Sequence, residues 1–172
     1  LDTTASTLVS SVTGSGNIFI TDSAAVSVGA TSTGSGDITI GTSDGILTVS
    51  GTVNSSSGNL ALAGDDGVTH TATGDLSTGG SGTVSVVASA GDVTMVDGTT
   101  YTAAGGTVSV TGASNVALGQ IVNASGASNV TATAGSITDV TSAEGIGNEN
   151  ISGTTLTLSS ATGIGSAGAA ND

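Results

Sequence analysis

A short phrase recurs along this chain and restricts it to one kind of architecture: a small or polar residue, usually behind Gly, then apolar, any residue, apolar. It reads Gly16-Asn17-Ile18-Phe19-Ile20, Gly36-Asp37-Ile38-Thr39-Ile40, Gly58-Asn59-Leu60-Ala61-Leu62, Gly82-Thr83-Val84-Ser85-Val86 and Gly106-Thr107-Val108-Ser109-Val110. Looser copies follow at Asn129-Val130-Thr131-Ala132 and Thr155-Leu156-Thr157-Leu158. From Ile18 through Ile38, Leu60, Val84, Val108 and Val130 to Leu156 the steps are 20, 22, 24, 24, 22 and 26 residues. Self-similarity at such a period marks a solenoid.

Each phrase alternates apolar and polar residues, the period-two pattern of a strand with one buried face. A second apolar phrase follows at Val26, Ile46, Val68, Val93, Val116 and Ile137, and a third apolar position at Val53, Leu76, Tyr101, Val122 and Ile146. Gly, Ser, Asn, Asp and Ala between them are corner material. The expectation is an all-β, parallel β-helix (β-solenoid) of about seven triangular coils, roughly 20–26 residues each, with residues 1–172 forming a single array and an irregular end at 163–172. One coil buries too few side chains to offset an ordering cost of ~1.5 kcal/mol per residue, so coil must lie on coil.

Composition removes several alternatives. The chain has no Pro, no Cys, one Phe, one Tyr and no Trp, which excludes disulfides, thiol chemistry and the aromatic girdles of a membrane barrel. Mean hydropathy is +0.35, yet no apolar run approaches the ~20 residues of a membrane helix, and Leu1 opens no signal peptide. With no Lys or Arg against 13 Asp and Glu, binding to nucleic acid or anionic lipid lacks its usual cations. Net charge and Ser/Thr richness argue for disorder, but the in-phase alternation argues against it.

Among candidate sites, hard oxygen donors suit calcium. Asp44, Asp66 and Asp92 each shortly precede a second strand, and stacking would set equivalent corners about 4.8 Å apart, where a cation would relieve repulsion. The alternative is solvated corner residues. Asn17, Asp37 and Asn59 occupy one position in three successive coils, as either a side-chain ladder or separate Asx turns. His70, the only histidine, reads as a surface residue on a polar strand face rather than as a general base. Asp65/Asp66 and Asp92/Asp97 are the local carboxylate pairs for glycan chemistry, and Thr99, Thr100 and Thr102 the outward threonines for ice binding. An ice surface needs regular ranks, whereas the turn lengths vary.

The phrases Gly36-Asp37-Ile38-Thr39-Ile40, Gly58-Asn59-Leu60-Ala61-Leu62, Gly91-Asp92-Val93-Thr94-Met95 and Ala134-Gly135-Ser136-Ile137-Thr138-Asp139, with 155–165, resemble filamentous-haemagglutinin-type repeats. The resemblance implies a right-handed parallel β-helix in the shaft of a bacterial surface adhesin exported by two-partner secretion or a related route. It implies an extracellular, cell-surface location, a cell-surface or glycan receptor as partner, and no catalysis. The Asn-Pro motifs of the secretion domain are absent from this Pro-free chain. Neither Leu1–Val12 nor Gly163–Asp172 reads as a cap, so the rod is expected to continue in a longer chain or by end-to-end self-association into a filament.

Overall fold

The computed structural model describes residues 1–142 and 149–165. It is all-β, and every strand pairing is parallel. One sheet stacks Asp2–Thr3, Ile18–Asp22, Ile38–Thr42, Leu60–Gly64, Val84–Ala88, Val108–Gly112, Ala127–Ala132 and Thr155–Ser160 as the first face of a coil. A second sheet covers the other two faces. Val26–Thr33 bends across both: Val26–Val28 pairs with Leu47–Val49, and Thr31–Thr33 with Val53–Ser55. About six full turns are stacked, one fewer than the recurring phrase suggests, because Thr155–Ser160 is followed only by Gly163–Ile164 among the described residues.

Strand alternation turns Leu60 and Leu62 inward and Ala61 outward, and the same phase holds in each coil. Ile18, Ile38, Leu60, Val84 and Val108 form one inward column, and Ile20, Ile40, Leu62, Val86, Val110 and Val130 the next. Each such side chain contributes roughly 1.5–3 kcal/mol by leaving water. The register corrects two readings. Ser128, not Val130, stands opposite Val108, buried with its Oγ on the Ser152 carbonyl at 2.9 Å. On the third face Ile121, not Val122, stacks on Tyr101, and Val122 points outward. The neighbour above Ile121 is Ile151; Ile146 lies outside the described residues.

The glycines before the first strand are fixed by close axial approach. A Cβ on Gly36 would stand 2.0 Å from the Gly16 carbonyl oxygen, on Gly58 2.1 Å from that of Gly36, on Gly106 2.0 Å from that of Gly82 and on Gly126 2.0 Å from that of Gly106. Three of these carbonyls, and that of Gly58, which a Cβ on Gly82 would meet at 2.3 Å, receive buried polar side chains: Thr33 Oγ1 donates to Gly16 (2.8 Å), Ser55 Oγ to Gly36 (2.9 Å), Thr78 Oγ1 to Gly58 (2.6 Å) and Asn123 Nδ2 to Gly106 (3.0 Å). In the fourth coil Ala103 occupies this position and has no donor to offer.

Coil length varies mainly at the corner between the second and third faces. That corner runs from Val49 to Val53 in one coil and from His70 to Leu76 in the next, while the strands on either side stay in register. Gly106→Ala is expected to lower stability by about 3 kcal/mol through this overlap. Gly14→Ala, whose Cβ would meet nothing within 4 Å, should be near neutral. Ala103→Ser should raise stability by about 1 kcal/mol by supplying the missing donor. Thermal or urea melts of the three variants check these values.

Candidate functional site

The outward positions divide by face. The first face presents Phe19, Thr39, Ala61, Ser85, Ser109, Asn129 and Thr157 in one rank without charge. The second presents Ser27, Thr48, Thr69, Thr94, Ala117 and Thr138. A threonine rank therefore exists despite unequal coils, because the length differences are confined to corners. It lies on a different face from Thr100 and Thr102; Thr99 is buried, with its hydroxyl donating to the Thr71 carbonyl at 3.2 Å.

Asn17, Asp37 and Asn59 form a ladder. Asn17 Oδ1 accepts from the Asp37 amide at 2.8 Å, Asp37 Oδ1 from the Asn59 amide at 2.8 Å and Nδ2 at 3.1 Å, and Asn59 Oδ1 from the Thr83 amide at 3.0 Å and hydroxyl at 2.8 Å. A second ladder joins Asp92 Oδ1 to the Asn115 amide at 2.8 Å, and Asn115 Oδ1 to the Ser136 amide at 3.0 Å.

Asp44, Asp66 and Asp92 do not share one column. Carrying the pairing Ile46↔Gly67 back one residue sets Gly45 against Asp66, and carrying Val68↔Val93 back sets Gly67 against Asp92. Asp66 and Asp92 do line one shallow depression on the second face with Thr69 and Thr94. Among the described residues no group of three or more His, Cys, Asp or Glu is placed to hold a metal. Asp97 accepts a hydrogen bond from the Ser142 hydroxyl.

His70 is not on the surface. Two residues after Val68 in an alternating strand, it occupies the inward column above Val49 and is 1% exposed. Its Nδ1 lies 2.7 Å from the Gly74 carbonyl, which can only accept, so Nδ1 carries the proton. Nε2, the free lone pair, then accepts from the Tyr101 hydroxyl at 2.6 Å. The rings are tilted at 59° with centroids 5.1 Å apart. Burial pushes the His70 pKa down to about 4, against opposing contributions from the Gly74 hydrogen bond and the Asp75 charge. Burial likewise raises that of Tyr101, so both rings are neutral near pH 7. The pair is a saturated core network with no atom left to act on a substrate proton.

Sequence reasoning did not single out Asp22. Its carboxylate ends the first strand almost fully buried and accepts from the Thr3 hydroxyl, the Ala5 amide at 2.9 Å and the Ala24 amide at 3.0 Å. The Thr3 hydroxyl, helped by the Ala24 and Ala5 amides, holds its pKa below 3.8 against the contrary pull of desolvation. Asp followed two residues later by the amide it caps is an Asx-turn signal, the one local clue available.

Tyr101→Phe leaves His70 Nε2 buried without a donor and should cost about 1–3 kcal/mol in a urea melt. For Asp22 the folded pKa lies below the unfolded one. Its contribution is therefore complete above pH 3.8 and lost as pH falls through the lowered value. Asp22→Asn should flatten that acid limb of a stability-versus-pH curve while lowering the melting temperature near pH 7.

Compared with known proteins, the chain finds no counterpart: no protein family, curated protein or solved structure matches it.

Proposed function

We propose that this chain is a shaft segment of an extracellular bacterial surface protein of the adhesin type, carrying function by reach and surface rather than by a reacting site. The observation that carries the reading is how the buried polar groups are satisfied. Thr33, Ser55, Thr78 and Asn123 bond to backbone of the adjoining coil, and no buried side-chain N or O among the described residues lacks a partner. Interior polarity is committed to axial stacking, the property of a one-dimensional array. The resemblance to filamentous-haemagglutinin-type repeats supports the same reading, as does a lattice of small outward side chains.

A second reading, ice binding, has one observation in its favour: Thr48, Thr69 and Thr94 stack in register at about 4.8 Å. The rank is single, broken by Ala117, and flanked by Asp92. Thermal hysteresis with ice shaping by the purified chain would place this reading first.

A shaft transmits an added coil as added length. Duplicating residues 84–107 should lengthen the distance between labels at Ala61→Cys and Thr131→Cys by about 4.8 Å in energy-transfer measurements, with the melting temperature kept. The chain lacks Cys, so labelling is specific. An unchanged distance overturns the shaft reading. So does cleavage of a polysaccharide that Asp92→Asn abolishes.

A further inference from the structure

His70 and Tyr101 join two faces of the coil at the corner where the chain leaves the second face. His70 belongs to Gly67–His70, Tyr101 to Thr100–Ala103 one coil further along, and Gly74 to the corner between. That corner is also tied by the Gly74 amide on the Thr71 carbonyl at 2.8 Å, the Thr71 amide on the Val49 carbonyl at 3.0 Å, the Thr73 hydroxyl on the Ser50 carbonyl at 3.1 Å and the Thr99 hydroxyl on the Thr71 carbonyl at 3.2 Å. It ends on Asp75, whose carbonyl accepts from the Val53 amide and whose carboxylate accepts from the Thr100 amide, both at 2.8 Å. Thr71, Ala72 and Thr73 are exposed, while the ring one residue before them is buried. A thin, wet corner thus covers the only imidazole in the chain.

Protonation at Nε2 makes both ring nitrogens donors. The Tyr101 oxygen must then turn to accept, and its own hydrogen loses its acceptor inside a fully buried site. A cation also comes to rest in the column between Val49 and Met95, where no carboxylate touches it and the Asp75 charge at the corner offsets its burial only in part. The pairing strands Ile46–Val49 and Val93–Thr94 and the opposing strands Leu60–Gly64 and Val84–Ala88 bring no titratable side chain to the ring. Tyr101 faces it, Asp75 acts on it from the corner, and Asp65 and Asp66 lie before its own strand.

We propose that the His70–Tyr101–Gly74 triad is an acid-sensitive latch: when His70 takes up a proton, the corner at 71–75 releases and the third coil opens there, loosening Thr100–Ala103 that lies on it, while the first-face strands stay stacked. The solenoid permits this because each coil is held by separate strand pairings to the coils on either side. The direction follows from linkage. The closed form holds a pKa of about 4 and the opened corner returns the ring toward 6.5, so the open form binds the proton first. The closed form is at full stability above pH 6.5 and weakens as pH falls toward 4, shifting the opening equilibrium on the order of 100-fold.

Amide hydrogen exchange on the whole chain tests this, with rates divided by intrinsic rates at each pH. The expected result is loss of protection of tenfold or more at residues 67–78 and 100–103 between pH 6.5 and 4.5, with Leu60–Gly64 and Val108–Gly112 unchanged. His70→Leu should remove the pH response. Protection that stays flat across this range overturns the latch, as does the same response in His70→Leu, which would assign it to carboxylates. If His70→Leu does not fold, an NMR titration of the wild-type ring decides. A midpoint well below 6.5 that tracks corner exchange supports the latch; a midpoint near 6.5 with exchange unaffected overturns it.

Discussion

The structure depends on one close contact, the seating of each glycine of the recurring phrase against the carbonyl oxygen of its counterpart one coil away. A side chain on Gly36, Gly58, Gly106 or Gly126 would occupy the space of that oxygen, so the coils approach at strand spacing only if the position is bare. The carbonyl so exposed to the interior then needs a donor. Thr33, Ser55, Thr78 and Asn123 supply it from the third corner, which is why a polar residue recurs inside an otherwise aliphatic column. Bare glycine and buried hydroxyl are one device, repeated along the axis.

That device separates what must be constant from what is free to vary. Strand residues are held by two neighbours each, and their register passes unchanged through coils of different length. Corners are held by scattered hydrogen bonds instead of a continuous ladder, and the interval from His70 to Leu76 holds more residues than that from Val49 to Val53 without disturbing either flanking pair. A rod built this way accepts insertions at its corners and refuses them in its strands. This is also how a threonine rank survives on the second face of a chain whose repeat is irregular.

Much of the fold was legible because period-two alternation and glycine punctuation act locally. Three coils could be phased on Gly-Asx-apolar-x-apolar alone, and the Asn17–Asp37–Asn59 ladder follows from their equal offsets. The misses have physical causes. Ser128 fills an apolar position by bonding to a carbonyl brought near by the next coil, and nothing local announces that partner. Ile121 and Val122 are both apolar, so the short corner after Leu118 decides between them. For His70 two local signals conflict. The phase of Val68-Thr69-His70 points it inward and the polarity of its ring points it outward; the Gly74 carbonyl around the corner and Tyr101 in the next coil make the inward placement tolerable.

Electrostatics tie the same geometry to a chain with no basic side chain. Two carboxylates stacked at about 4.8 Å repel by roughly 1 kcal/mol even in water, and an unbroken column would accumulate that along the rod. The ladders do not stack like on like. Asp37 lies between Asn17 and Asn59, and Asp92 meets Asn115, whose amides donate to the carboxylate oxygen. At the neighbouring corner the stagger sets Gly45 against Asp66 and Gly67 against Asp92. Asp37, Asp66 and Asp92 thus meet an amide donor or a bare backbone along the axis, so the backbone that fixes the coil spacing also keeps these three carboxylates from stacking on one another.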